Sequence, residues 1–463
     1  MTYSIASIAQ SEIWSLEHCI KQGVESNLSL KLSELKLLNQ GIQLKESKYK
    51  QLPNVSADFN TGLSIGRNID PTSNSFVTKN IIFGNYGIGA SINLFQAGYL
   101  RNSVKYNKIE LDANSKDYEQ AVNDLTLQIA AQYLNVLMAE ERLESSRKNY
   151  QTISLQSKNL QRLVEIGSRA NADALEIKSQ ELKSDQAVII AENVLAQARL
   201  QLKQMLRLDH KVDIILERYA DSEFRNIKNE SYNSESLYPL AESNQAQIQA
   251  AEIRLKSAGL QEKIAKTSYY PNLNGFINVN SRYSNAAVTP TEFGIKTEIL
   301  KAKVNGTDFN LEYEVPTITK TKVISFTDQY SQFLGYSFGV SSRIPIFDNY
   351  FTKANVQRSK IQSEQARLNL EILKENLKLQ VTQAVANVKA AIKEYEAAKK
   401  SLELSELVSK NTAKKFEIGS ANSFELASAQ NSYSETESTY VIAKYDLLFK
   451  QKILDLYAGK RIK

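Results

Sequence analysis

Apolar residues along this chain follow two different periods, and the points where one gives way to the other divide it into elements. In the run from Asn349 to Ile418 they fall at Val381, Val385, Val388, Ile392, Tyr395 and Leu402, mostly alternating steps of four and three. A helix places such positions on one stripe, the seam of a coiled coil. The run from Ala97 to Ile166 carries a matching stripe at Val122, Leu125, Ile129, Tyr133, Val136 and Leu143. Neither run contains proline, and Gly98 is the only glycine. Roughly seventy helical residues rise about 105 Å, whereas a globular helix has about a dozen residues. A stripe of this kind is ordinary core; its length is what informs.

Four segments switch to a period of two. Val55, Ala57, Phe59, Leu63 and Ile65 share one face of the first, and Ile82, Tyr86, Ile88, Ala90, Ile92 and Leu94 one face of the second. In the third, Leu273, Ile277 and Val279 alternate with Asn272, Asn274, Asn278, Asn280 and Arg282. In the fourth, Leu334, Tyr336, Phe338, Val340, Ile344 and Ile346 alternate with Ser331, Ser337, Ser341 and Arg343. An apolar face opposite asparagine, serine and arginine suits a strand with lipid on one side and water on the other. It equally suits a half-buried strand of a soluble sandwich. Pro53 and Pro271 end the incoming helices, because the ring removes a donor and disfavours helix just before it. Asp70 to Lys79 reads as a short polar connection, and Asn285 to Asp328 as a much longer loop of mixed composition.

The elements occur twice. Leu94-Phe95 returns as Ile346-Phe347, Val104 as Val356, Lys108-Ile109 as Lys360-Ile361 and Leu125 as Leu377. The register holds without a gap to Glu165-Ile166-Gly167-Ser168, which is repeated as Glu417-Ile418-Gly419-Ser420. A one-residue slip then aligns Ala170-Asn171 with Ala421-Asn422 and Leu175 with Leu426. Upstream, Gly41, Gln43, Lys48 and Pro53-Asn54 match Gly259, Gln261, Lys266 and Pro271-Asn272. Two structural repeats follow, 11–240 and 241–463, each read as helix, two strands, long helix, turn and helix. The stretch from Leu208 to Tyr238 joins them and is expected to pack beside the middle of the long helices.

Composition narrows the classes. The 57 basic and 51 acidic residues leave +6 spread along the chain, without the concentrated basic patch that phosphate binding needs, so nucleic acid is not an expected partner. No stretch of 18 uninterrupted apolar residues occurs, so no membrane-crossing helix is expected, although barrel strands escape such averaging. The single cysteine, Cys19, rules out an intramolecular disulfide and reads as a small buried residue of the first helix. With only His18 and His210 beside it, and no phosphate-cradling loop or nucleophile elbow, no catalytic, cofactor or metal site is expected. Ser7-Ile8-Ala9 resembles a cleavage site, and 1–10 reads as the remnant of a signal peptide.

Four strands cannot close a barrel, and an open sheet in lipid leaves unpaired backbone groups costing several kcal/mol each. Strands in a membrane would therefore require oligomerisation. Trp14-Ser15-Leu16-Glu17, Pro53-Asn54, Pro271-Asn272, Pro345-Ile346-Phe347, the two Glu-Ile-Gly-Ser turns, and Gln180 and Gln430 beyond them resemble the TolC-like outer membrane efflux family. The resemblance runs from about Ser11 to Tyr457. It implies a mostly α fold with transmembrane β: a homotrimer in which four strands per chain, within 55–95 and 272–347, build a twelve-stranded β-barrel in outer-membrane lipid. Long coiled-coil helices would form a trimeric α-barrel extending into the periplasm. It also implies a passive duct working with a periplasmic adaptor (membrane fusion) protein and an inner-membrane pump, in tripartite efflux or type I secretion. A soluble coiled-coil scaffold is the competing reading; it explains the long helices and leaves the strands without purpose.

The resemblance also places the sites. The turns, within 163–176 and 415–428, would be the periplasmic tips, making Ile166, Gly167, Ser168, Ile418, Gly419 and Ser420 adaptor-contact candidates. Family members narrow their entrance with acidic rings just past these turns. Here Glu425 holds that place, Asp173 and Glu176 hold the corresponding places in the first repeat, and Ser428 departs from a double-ring pattern by not being acidic. Three carboxylates facing one another would attract cations and disfavour joint ionisation. The bland alternative is a solvated face near a helix N-terminus, where acids are favoured anyway.

Overall fold

The computed structural model describes residues 13–70, 74–219, 233–304 and 306–460. The presumed signal-peptide remnant, 1–10, lies outside them, as does the middle of the joining stretch. The chain divides into a helical unit (1–42, 108–259 and 361–463) and a unit holding the main sheet (43–107 and 260–360).

The duplication is visible in helix lengths. Helices α2 (Leu28–Tyr49) and α6 (Ala246–Thr267) each have 22 residues, α3 (Tyr99–Glu165) and α8 (Phe351–Glu417) each have 67, and α4 (Asn171–Leu206) and α9 (Ser423–Tyr457) have 36 and 35. Both α2 and α6 stop four residues before their prolines, and the following strands begin at Asn54 and Asn272. Two shorter helices, α1 (Leu16–Ser26) and α5 (Ser234–Asn244), precede α2 and α6.

In the helical unit the predicted stripes form the core. Leu125, Ile129, Tyr133, Val136 and Leu143 of α3 are buried against Leu16 and Cys19 of α1, Leu202 and Leu206 of α4, and Tyr445 and Leu448 of α9. Val381, Val385 and Val388 of α8 are buried in a second cluster with Leu237 and Ala241 of α5 and Leu454 of α9. Each fully buried Leu or Ile contributes about 1.5–3 kcal/mol. A Cβ on Gly23 would overlap Cδ1 of Ile129, so glycine permits α1 to lie close against α3. Burial pushes the Cys19 thiol up to about 12, which keeps it protonated and inert.

At the described start of the joining stretch, Ile214 and Leu216 are buried with Ile129 and Tyr133 of α3. Strand β1 (Ile13–Trp14) pairs in parallel with β6 (Ile215–Leu216), and the Tyr133 hydroxyl, 3.0 Å from the Trp14 carbonyl and 2.7 Å from that of Glu217, donates to this pair of carbonyls. Burial holds that phenol well above its usual pKa.

The sheet of the second unit has four antiparallel strands in the order β10-β7-β5-β2: β2 (Asn54–Ser64), β5 (Ile81–Phe95), β7 (Asn272–Ser284) and β10 (Gly335–Arg343). Two connections depart from expectation. A short ladder, β3 (Arg67–Ile69) with β4 (Phe76–Thr78), extends the β2–β5 turn. The expected loop 285–328 is instead a hairpin of β8 (Val288–Val304) and β9 (Thr307–Val323), followed by the beginning of helix α7 (Phe326–Gln332). Pro290 and Pro316 hid these strands; in a two-stranded ribbon both strands are edges, where proline is tolerated if its nitrogen faces away from the partner. The fourth strand is also shorter than its alternation implied. Ser331 belongs to α7, and Ile344 and Ile346 lie beyond Arg343.

Tyr133→Phe removes a donor that the Trp14 and Glu217 carbonyls share and should cost about 0.5–1.5 kcal/mol. Detergent-solubilised protein should melt at a lower temperature, with unchanged helix content by circular dichroism; an unshifted melting point refutes this anchor.

Candidate functional site: a two-faced wall and paired tips

The register of the sheet sorts side chains by chemistry. Val55 lies opposite Ala90 and Ala90 opposite Ile277, which in turn faces Phe338; Ala57, Ile88, Val279 and Tyr336 form the next row. The opposite face carries Ser56, Gly89, Asn278 and Ser337 in one row and Asp58, Gly87, Asn280 and Gly335 in another. Its two aromatics, Phe83 and Phe276, lie over Gly62 and Gly339, where a Cβ would come within 2.8 and 2.9 Å of the ring carbons. A soluble sandwich would cover the apolar face, and here it is bare: Phe59 is 71% and Phe338 83% exposed. Edges β2 and β10 have no partner strand within the described residues.

Aromatics bracket this apolar face. Tyr86, Tyr283, Phe326 and Tyr330 cluster beside the α7 end, with ring centroids 5.5–6.4 Å apart. Beyond the other end, Phe95, Tyr99, Tyr269, Tyr270, Phe347 and Phe351 are exposed. From Val55 to Leu63 strand β2 rises about 27 Å at ~3.4 Å per residue. Tilt shortens that toward the ~25 Å apolar band, flanked by aromatic girdles, of a membrane barrel. No described helix is long and apolar enough to cross a membrane.

The two long helices end alike. Ser168 N–H donates to Leu163 O at 2.8 Å and Gly167 N–H to Val164 O at 2.9 Å; Ser420 and Gly419 repeat these bonds to Lys415 and Phe416 at 2.8 and 3.1 Å. Both are Schellman ends, and Gly167 and Gly419 occupy the left-handed region at φ +76° and +78°. Each leaves an isoleucine in solvent, Ile166 at 75% and Ile418 at 77% exposed. Behind the turns, Leu160, Ile177 and Leu426 form a small buried cluster with Phe416 against it.

The family model for outer membrane efflux proteins matches residues 22–206 and 237–460. The chain belongs to the outer membrane efflux protein family. Solved structures share its fold. CusC is 15% identical over 98% of this chain and 96% of its own, with a TM-score of 0.76. VceC from Vibrio cholerae is 11% identical over 97% of each chain, at 0.74. MtrE of Neisseria gonorrhoeae, solved in its open state, is 18% identical over 96% of this chain and 88% of its own, at 0.71. By sequence alone no curated relative matches it. This efflux protein is a transport channel of the outer membrane that extends into the periplasm, and its family is not one of enzymes.

The tips of the efflux protein place the expected site residues unequally. Glu425 is exposed, and it is also the third residue of a capping box: its N–H donates to Asn422 Oδ1 at 2.8 Å while its carboxylate accepts from Asn422 N–H at 3.3 Å. Asp173 is half-buried and accepts from Ser423 Oγ at 2.9 Å, so it ties α4 to α9. Glu176 and Ser428 are exposed. Gln180 bonds Asn431, and Gln430 donates to Gln156 at 2.6 Å, cross-linking the helices behind the turns.

Sequence reasoning missed Arg169. Its guanidinium donates to Phe416 O at 2.7 Å and stands 4.9 Å from the Phe416 ring centroid, fastening the first tip to the second. Its signal was present, because Arg169 is the extra residue behind the one-position slip after the Gly167 turn.

Arg169→Ala removes a charge-assisted bond worth about 1.5–3 kcal/mol. Amide exchange should quicken at the tips and remain unchanged around Tyr133; equal protection at both places defeats the assignment. The Glu181 carboxyl, bonded by Lys178 at 2.8 Å and Ser154 at 2.8 Å, is held below its usual range chiefly by Lys178. Its contribution is therefore present above its unfolded pKa and disappears as pH falls through the lower folded value. Between pH 5 and 3 the wild-type melting temperature should drop further than that of Glu181→Gln, and parallel curves would contradict this.

Proposed function

We propose that three copies of this efflux protein close into one passive exit duct, drawing on a periplasmic adaptor and an inner-membrane pump in a tripartite efflux or type I secretion assembly. The observation that carries the reading is the sheet: a bare apolar face, a polar face, and two unpaired edges on opposite sides. In lipid those edges must be satisfied. Pairing β10 of one copy with β2 of the next satisfies both, and three copies give twelve strands around a polar bore.

The helices support the same closure. Leu28, Leu32, Leu35, Leu38 and Ile42 of α2 follow a three-four spacing and are all exposed, the pattern of a coiled-coil seam awaiting a neighbour. At the far turns, exposed Ile166 and Ile418 beside Gly167, Ser168, Gly419 and Ser420 offer small apolar knobs suited to adaptor helices. In a three-fold ring Glu425 would supply three carboxylates at the entrance, with Asp173, Glu176 and Ser428 nearby. In this reading energy and cargo choice rest with the pump.

Glu425→Gln separates charge from capping, because an amide can still accept the Asn422 N–H. Protein extracted from outer membranes should have a trimer's mass and conduct cation-selectively in planar bilayers, with Glu425→Gln less selective at the same mass. A monomeric mass sinks the duct, while unaltered selectivity in a verified trimer removes only the ring.

A further inference from the structure

The β8–β9 hairpin has an unusual physical chemistry. Each strand has 17 residues, roughly 58 Å at ~3.4 Å per residue. It leaves the sheet between β7 and β10, at the end opposite the one where Pro271 and the helices join. A lone two-stranded ribbon is marginal in water, and this one exposes Phe293, Ile295, Leu300, Phe309, Leu311 and Ile318, with Phe293 at 74%. Those residues change face near Thr297, with Phe293, Ile295 and Ile318 on one side and Leu300, Leu311 and Phe309 on the other. A stripe that keeps one direction along a strongly twisted ribbon must do this.

The base of the ribbon is built to hold a direction. Gln329, fully buried, accepts from Ser284 N–H at 2.8 Å and donates to the carbonyls of Ser284 at 2.9 Å and Ile324 at 2.8 Å. Ile324 N–H closes the neck onto Ala287 O at 3.1 Å. A tether this well bonded positions the ribbon.

Charge tells what it is positioned against. In the outer half, β8 carries Lys296, Lys301 and Lys303 against one acid, Glu298, while β9 carries Asp308, Glu312 and Glu314 and no base. Lys303 meets Asp308 at 3.7 Å and Lys296 meets Glu298 at 3.2 Å. Lys301, Glu312 and Glu314 have no ion pair among the described residues. Charges placed only to blunt an edge against aggregation need no segregation by sign. One basic edge and one acidic edge on the same ribbon match a second copy placed head to tail, the sense in which β10 would meet β2.

We propose that the β8 edge of each hairpin pairs with the β9 edge of the neighbouring copy, joining three ribbons into a six-stranded collar that narrows the outer mouth of the duct. The collar rests on the trimeric reading. A ring of six strands is narrower than an eight-stranded barrel, whose interior side chains just fill, so it constricts the mouth and limits the ion flow through the wider twelve-stranded bore behind it.

The test uses the full chain in two co-expressed, differently tagged forms, one carrying Lys301→Cys and the other Glu312→Cys; buried Cys19 does not compete. Oxidised trimers from outer membranes should yield a disulfide-linked pair bearing both tags, and neither variant alone should link. Replacing 288–323 by a short turn should leave the trimer intact and raise its bilayer conductance about threefold or more. A verified trimer without the mixed pair, with unchanged conductance, or with its hairpins linked instead to another protein overturns the collar and spares the duct. Failure to isolate any trimer defeats the duct, and the collar with it.

Discussion

Backbone hydrogen bonding in a medium without water governs this molecule. Each N–H and C=O along an open sheet edge costs several kcal/mol in hydrocarbon, and a chain with four membrane strands has two such edges. Among the described residues it does not repair them internally, because the four strands form one layer with β2 and β10 outermost. Every other specialised feature is consistent with that constraint: the sorting of faces by register, the bare apolar surface, and an unpartnered helical seam on α2. In lipid, the chain would complete its bonding only in the assembly proposed above.

Within the helical unit the chemistry is different and more ordinary. Core stripes of Leu, Ile and Val meet around Tyr133 and Tyr395, and the parallel β1–β6 pair is fastened through one phenol. The long helices hold their length through these contacts, since a polar helix of 67 residues gains little from propensity alone. The pairing at the tips adds short polar reach to the small Leu160, Ile177 and Leu426 cluster, Arg169 to a carbonyl and Asp173 to a hydroxyl. Such bonds are easier to exchange than packed leucines.

Much of the fold was legible because two periods, 3.6 and 2, persist over long stretches. The stripes at Val122–Leu143 and Val381–Leu402 and the alternation from Val55 and from Leu273 correspond to buried seams and sheet faces in the structure. The β8–β9 ribbon was illegible for a physical reason. Its apolar residues change face midway, charges occupy both faces, and two prolines sit where a central strand forbids them. At the tips, the turns could be read from Gly167 and Gly419, whereas the capping bonds of Glu425 could not. An acid six residues past a glycine is the same letter whether it caps a helix or faces a pore, and only the Asn422 bonds reveal the first of these.

The equality of the duplicated helices carries an implication for how such a chain can change. Both 67-residue helices start just past a sheet strand and end at turns clipped together through Arg169 and Phe416. An insertion in one alone would displace its end by about 1.5 Å and 100° per residue, tearing that clip and rotating a buried seam into water. Length can therefore drift only in matched pairs, whereas a single added residue survives in the turn, where Arg169 lies. Homologues of different reach should differ by equal increments in both halves, a signature readable from gene sequences without any coordinates.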